Sequence, residues 1–199
     1  MGAVYWVTRT EGRAFRFWFK IYFMKKLIII FGNMGSGKST LCAALAAVLP
    51  DFTSLGMDDY RRSVRDEHPD RNAFWIEREA EKQCAEALSE NADMIWETTG
   101  ASRFFLREWR RLRTHREVVM IRLECALDTC RNRVYARGEN GIRLPFAKEL
   151  NQTLGHIDDA NSVLPADLVL DSEALPPEAL AKAVEGLLKA RKIKQSLQY

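Results

Sequence analysis

The sequence predicts an α/β domain in which helices flank a parallel β-sheet. Short apolar segments alternate along the chain with longer segments of helical periodicity, and this alternation is typical of the α/β class. The first apolar segment, 27–31, is an uninterrupted run, which indicates a parallel strand buried on both faces. With 199 residues, 47% of them hydrophobic, the chain can form one domain with a full core.

Five strands and six helices are predicted. The strands are 27–31, 52–57, 93–96, 118–123 and 168–170, and the helices are 40–49, 73–88, 103–114, 126–137, 146–159 and 177–192. The first helix stops at Pro50, Ser102 can cap the third, and Pro177 opens the last. Apolar residues three or four positions apart mark the helix at 73–88, and Gly138 closes the helix that starts near 126.

A glycine-rich loop joins the first strand to the first helix. Residues 32–39 read G-x-x-x-x-G-K-S, the P-loop pattern, in the strand–loop–helix context in which backbone N–H groups cradle a phosphate. Lys38 is expected to reach the β- and γ-phosphates of ATP, and the Ser39 hydroxyl to bind Mg²⁺. The predicted nucleotide-binding residues of this segment are Gly32, Asn33, Met34, Gly35, Ser36, Gly37, Lys38, Ser39 and Thr40.

Charged residues follow the second predicted strand. Because working residues gather at the carboxyl ends of parallel strands, Asp58 is well placed to orient an attacking hydroxyl. Arg61, one helical turn later, could hold an anionic group of the acceptor. The alternative is a solvated helix start, with an aspartate at the N-cap and exposed arginines.

Glu97 ends the third predicted strand. A carboxylate at the end of a strand parallel to the P-loop strand is suited to order Mg²⁺, often through water, so Glu97 joins Ser39 as a predicted metal residue. Capping of the following segment is the alternative role for Glu97.

Arginines on two predicted helices are further candidates. Arg133 and Arg137 lie four residues apart on one helix face and can point at one ligand, although solvent exposure is the commoner fate of a single arginine. Arg133 is the candidate for covering the adenine or its phosphates. Arg137 would stabilise the transferred phosphoryl from an arginine-bearing lid, because 139–144 is predicted to be a mobile loop. The cationic face of the helix at 103–114 is either solvated or receives an anionic substrate.

The charge distribution separates residues 1–23 from the remainder of the chain. This segment has four basic residues and one acidic residue, which accounts for the whole net charge of +3. Three interpretations stay open for it: a membrane-surface or partner-binding arm, an extra edge strand, or an extension that the protein does not need. We expect 1–23 to be poorly ordered and 24–199 to form the working domain. The neutral remainder gives no charge evidence for nucleic-acid binding.

The four cysteines are Cys42, Cys84, Cys125 and Cys130, with neither metal-ligand spacing nor companion histidines. Buried thiols in a reducing compartment explain them best, so a cytoplasmic location is expected. No segment approaches the length of about 20 apolar residues that a membrane span requires.

Residues 24–40, followed by Asp58-Asp59-Tyr60-Arg61, resemble the 5′-kinase domain of phage-type polynucleotide kinases and, more broadly, small-molecule P-loop kinases and ATP-binding proteins with an AAA domain. The resemblance implies a five-stranded parallel sheet in the order 2-3-1-4-5. It also implies that Asp58 is the general base, Arg61 the ligand of the acceptor phosphate, and Arg137-Gly138 the lid pair. Asn33-Met34, Glu97 and Thr99 depart from that family's pattern.

These observations predict an ATP-dependent kinase that phosphorylates a hydroxyl group. A nucleic-acid or nucleotide 5′-hydroxyl is the first acceptor class, and a small metabolite or antibiotic, as in the gluconate and shikimate kinases, is the alternative. A regulatory ATPase and a binding module without catalysis are the alternatives from other functional classes. The sequence leaves open the acceptor's identity, the oligomeric state and the adenine contacts.

Overall fold

The computed structural model describes residues 24–137 and 147–197. Five strands and seven helices alternate within these ranges. The strands are β1 (Lys26–Gly32), β2 (Thr53–Gly56), β3 (Met94–Thr98), β4 (Glu117–Glu124) and β5 (Leu168–Asp171). The helices are α1 (Lys38–Val48), α2 (Met57–Glu67), α3 (Ala73–Ala87), α4 (Arg103–Leu112), α5 (Leu127–Ala136), α6 (Ala147–Ser162) and α7 (Pro177–Leu197). The predicted extension at 1–23 and the predicted loop at 139–144 lie outside the described residues.

The strands form one parallel sheet in the order β2-β3-β1-β4-β5, which confirms the predicted fold class and strand order. β1 is central, with Ile30 beside Glu97 of β3 on one side and Ile121 of β4 on the other. Parallel pairing brings the carboxyl ends of the strands to a single edge. The P-loop and Glu97 therefore meet at that edge, as the strand pattern predicted.

Helices cover both faces of the sheet, which explains the unbroken apolar run of β1. Ile28 and Ile30 pack with α1 and α7, whereas Ile29 and Phe31 face the layer formed by α2, α3 and α4. A smaller cluster joins α5 to α6 through Cys130. Because alternate side chains enter two separate cores, a polar residue inside β1 would be buried on either face.

The second strand is shorter than predicted. β2 ends at Gly56 and α2 begins at once with Met57, so Asp58 lies in the first turn of a helix. The alternative interpretation of this segment as a helix start is therefore correct, but its aspartate N-cap is wrong, because the N-cap is Gly56 and no side chain caps the helix. The predicted cap of α4 is confirmed, since Ser102 Oγ accepts a hydrogen bond from Phe105 N at 3.0 Å.

The described helices include none that combines the length and apolarity needed to cross a membrane.

Candidate active site

The P-loop backbone is built around glycines that no other residue would replace without strain. Gly35 and Gly37 have φ of 77° and 96°, in the left-handed region that favours glycine. A Cβ on Gly35 would lie 2.5 Å from the Cys130 carbonyl oxygen, so the loop touches the backbone of α5 directly. The glycine spacing therefore shapes the loop and seats it against α5.

Asn33 and Met34 fasten the loop to the helices that follow. Asn33 Nδ2 donates to the Leu154 carbonyl of α6 at 2.9 Å, while Asn33 Oδ1 accepts from Met34 N at 3.0 Å. The Met34 side chain packs on the apolar cluster that contains Cys130 and Leu154. These two positions depart from the pattern of the family that the loop resembles, and the structure gives them an anchoring role.

Lys38 is almost fully buried, with 7% of its surface exposed, and its Nζ donates to the Asn33 carbonyl at 2.8 Å. Burial lowers the pKa of the ammonium, the charges of Glu97 and Asp58 oppose that effect, and Arg137 adds to it; the net pKa lies below its usual value. These interactions show that Asp58, Glu97 and Arg137 all lie within electrostatic reach of the P-loop lysine. The structure thus brings four predicted site residues into one neighbourhood.

Ser39 and Glu97 converge beside the loop. Ser39 Oγ donates to Glu97 Oε1 at 2.8 Å, although the two residues are 58 positions apart. A hydroxyl and a carboxylate in contact at a helix N-terminus fit Mg²⁺, which is held by one or two protein groups plus the phosphates of a bound nucleotide. Residues 24–137 and 147–197 contain no group of three or more His, Cys, Asp or Glu side chains that could hold a metal ion.

Arg61 forms the centre of an ion-pair network. Its Nε and Nη2 donate to the two oxygens of Glu77 on α3, both at 2.7 Å, and Nη1 donates to Asp58 Oδ1 at 2.7 Å. The hydrogen bond to Glu77 is the main cause that raises the pKa of Arg61, which keeps the guanidinium charged. Two of its five N–H donors remain for another anion. Sequence reasoning missed Glu77, because its partner is 16 residues away and lies on another helix.

Arg133 lies against the P-loop from α5. Its Nη1 is 3.3 Å from the Gly35 carbonyl oxygen and 3.5 Å from Ser172 Oγ, just after β5. Arg137 ends α5 with an exposed side chain. The predicted pair therefore diverges: one arginine fills the space between the loop and β5, and the other is accessible near Lys38.

Comparison with solved structures shows the same architecture in kinases. The shikimate kinase from Acinetobacter baumannii, in complex with shikimate, matches with a TM-score of 0.60 and 17% identity over 87% of this chain and 98% of that chain. The gluconokinase from Sinorhizobium meliloti 1021 matches with a TM-score of 0.59 and 16% identity over 89% and 99%. A chain of the Pnkp1/Rnl/Hen1 RNA repair complex matches with a TM-score of 0.58 and 16% identity over 71% of this chain, but only 47% of that chain.

At these identities the likeness shows the fold alone, and no curated protein sequence matches the chain. The family model described as an AAA domain matches residues 27–160, which is more than half of the chain and includes the P-loop, Asp58 and Glu97. The chain therefore belongs to this AAA domain family and has the fold of the P-loop kinases.

Proposed function

We propose that this protein is an ATP-dependent kinase that transfers the γ-phosphoryl group to a hydroxyl acceptor. The observation that carries the proposal is the meeting, at one edge of the sheet, of a phosphate-binding loop with an ion-paired aspartate. The loop alone accounts for nucleotide binding, which regulatory ATPases share. The additional carboxylate, Asp58, is held by Arg61 within electrostatic reach of Lys38. It would orient an acceptor hydroxyl and take its proton.

The loop and α1 would bind the nucleotide. Backbone N–H groups and Lys38 would contact its phosphates, and Arg133, between the loop and Ser172, would cover the base or its phosphates. Ser39 and Glu97 would hold Mg²⁺, which offsets negative charge on the phosphates when bound. On binding, Lys38 would exchange its bond to the Asn33 carbonyl for bonds to phosphate oxygens.

Asp58 would accept a hydrogen bond from the acceptor hydroxyl and take its proton. The hydroxyl oxygen forms the new bond to the γ-phosphorus as the bond to the β–γ bridging oxygen breaks, leaving ADP. Lys38 and Arg137 would stabilise the charge that spreads over the transferred group. Arg61 keeps Asp58 oriented and has two remaining donors for an anion on the acceptor.

Acceptors with an anionic group near the reacting hydroxyl suit this site, and a nucleic-acid or nucleotide 5′-hydroxyl is the first class that we propose. A small metabolite with an anionic group, as in the gluconate and shikimate kinases, is the second candidate, since the free donors of Arg61 suit a carboxylate equally well.

We also propose a cytoplasmic location. All four cysteines are free thiols, and burial raises the pKa of Cys42, Cys84 and Cys130 to about 12, which keeps them protonated and unreactive. Free buried thiols are typical of a reducing compartment.

Transfer of labelled γ-phosphate to a panel of acceptors tests the proposed function. The panel would contain a 5′-hydroxyl oligonucleotide, nucleoside 3′-monophosphates, nucleosides, gluconate, shikimate and aminoglycosides, with a control lacking any acceptor. We expect a labelled product with at least one anionic acceptor and none with Lys38→Ala. Hydrolysis that is the same with and without every acceptor would instead favour a regulatory ATPase.

A further inference from the structure

A groove separates α3 from α4 on the face of the sheet that α2 also covers. α3 packs closely along α2 and stands off from α4, which leaves a groove of about 420 Å³. The residues lining this α3–α4 groove are Trp75, Arg78, Glu79, Glu81, Lys82 and Arg107. None of them belongs to the P-loop or to the Asp58–Arg61–Glu77 network, so the groove is a separate feature of the surface.

The groove lies between two helices that both start near the edge of the sheet that carries the candidate active site. α4 starts just after β3 ends at that edge, and α3 leads into the start of β3, so both helices run away from the edge. At the far end Arg111 Nη2 donates to Ser89 Oγ at 3.1 Å and joins the two helices. Glu77, which holds Arg61, directly precedes Arg78 on α3. A long acceptor could therefore reach both places.

The cations of the groove differ in how they are paired. Lys82 Nζ lies 3.4 Å from Glu79 Oε1, and Arg107 Nε lies 2.8 Å from Glu108 Oε1. Arg78 forms no ion pair with any residue of the described ranges. Glu79 and Glu81 reduce the positive charge inside the groove, while α4 contributes four arginines and one glutamate along its whole length. Arg78 is thus the cation best placed to receive an anion.

Two aromatic side chains lie at the groove: Phe74, which contacts Arg78 from one helical turn before it, and Trp75, which lines the groove. Phe74 is 72% exposed and its ring centroid lies 5.9 Å from the Arg78 guanidinium carbon, while the Arg71 guanidinium carbon lies 5.0 Å from the Trp75 ring centroid. An exposed ring supplies a surface on which a flat group can stack. Aromatic rings interleaved with cations are how proteins bind single-stranded nucleic acid without reading its sequence.

We propose that the α3–α4 groove binds a single-stranded segment of a nucleic-acid acceptor, with phosphates on Arg78 and Lys82 and a base stacked on Phe74. This inference rests on the proposed function, because the 5′-hydroxyl of the bound strand is the group that would reach Asp58. A small metabolite at Asp58 would not extend to the groove. An acidic peptide would satisfy the cations but has no base to stack on Phe74.

Binding of a 5′-phosphorylated, fluorescent oligonucleotide of about 12 nucleotides tests the groove without turnover, since site sizes of this kind are typical of single-strand binding. The test variant is Arg78→Ala/Lys82→Ala. The matched control is Lys182→Ala/Lys189→Ala on α7, which removes the same charge from the opposite face of the sheet. Loss of two phosphate contacts should reduce the slope of log Kd against log salt concentration by about 1.4 in the test variant only. Phe74→Ala should weaken binding by roughly tenfold.

The same variants, assayed with a nucleoside 3′-monophosphate and with the oligonucleotide as acceptors, separate the two proposals. We expect the test variant to raise KM about tenfold for the oligonucleotide and to leave the short acceptor unchanged. Three results would overturn the groove proposal. They are equal effects of both double variants on oligonucleotide binding, no binding by the unaltered protein, and equally tight binding of an acidic peptide of equal charge. Binding as expected without phosphoryl transfer to any acceptor would support the groove and contradict the proposed function.

Discussion

The ammonium group of Lys38 is buried and donates a hydrogen bond to the Asn33 carbonyl of the P-loop. Burying a charge costs free energy that one neutral acceptor offsets only in part. Lys38→Met should therefore cut turnover about a hundredfold, as loss of one charge-stabilising group commonly does, without lowering the free energy of unfolding. Turnover and urea denaturation measure the two effects. Destabilisation by more than about 2 kcal/mol would mean that Lys38 is chiefly structural.

The lowered pKa of Lys38 adds a pH dependence. The unfolded chain keeps the ordinary pKa of 10.5 and binds the proton more tightly than the folded protein, so stability rises as pH increases through the folded pKa toward 10.5. This rise should be absent in Lys38→Met.

Glu97 Oε1 accepts a hydrogen bond from the Ser39 hydroxyl. If these residues hold Mg²⁺, Glu97→Gln should raise the Mg²⁺ concentration for half-maximal activity by about 10- to 100-fold. Glu117→Gln, at the opposite edge of the sheet, is the control. A shift of the same size in both variants would show that general electrostatics, not a metal ligand, is responsible.

At the scale of single elements, α4 depends on a buried carboxylate. Glu108 is only 4% exposed. Burial raises the pKa of its carboxyl group, but the hydrogen bonds from Arg107 and Arg111 lower it by more, so the net pKa lies below 4.5. The ionised Glu108 therefore stabilises the folded protein above pH 4.5, and this stabilisation is lost as pH falls through the pKa of Glu108 in the folded protein. Glu108→Gln should cost about 1–3 kcal/mol near neutral pH. Urea denaturation at several pH values should show this difference shrinking in acid; a constant difference would contradict the account.

The elements also show what the sequence could predict. β1 was predictable because both of its faces are buried, which leaves a continuous apolar run, and α4 because Ser102 caps it. α2 was not assigned as a helix, because it buries only Val64 fully and its residues are otherwise polar. The residues that meet at the P-loop were identifiable from their positions at strand ends. Their partners Glu77 and Leu154 were not, since no local pattern marks contacts 16 and 121 residues apart in the chain.

At the scale of the whole molecule, the P-loop is held by several parts of the chain. It contacts the backbone of α5 at Cys130 and the α6 carbonyl of Leu154, and Arg133 bridges it to Ser172 beyond β5. A nucleotide that fills the loop should therefore stabilise the fold as a unit. ATP at about 100 times its Kd should raise Tm by roughly 5 to 10 °C. Differential scanning fluorimetry measures this shift, and an equal shift in Lys38→Ala would place ATP elsewhere.

The proposed kinase uses the loop to bind ATP and α2 to activate the acceptor hydroxyl, and two adjacent aspartates on α2 separate these roles. Asp58 forms an ion pair with Arg61, and its charge raises the pKa of Lys38. Asp59 is also exposed, and its Oδ1 lies 3.7 Å from Arg62 Nη1. The measurement is kcat together with the Kd for ATP in Asp58→Asn and Asp59→Asn, using whichever acceptor is phosphorylated. We predict that Asp58→Asn lowers kcat about a hundredfold with ATP affinity unchanged, and that Asp59→Asn has little effect on either. Full activity in Asp58→Asn, or equal losses of ATP affinity and turnover in it, would contradict the account.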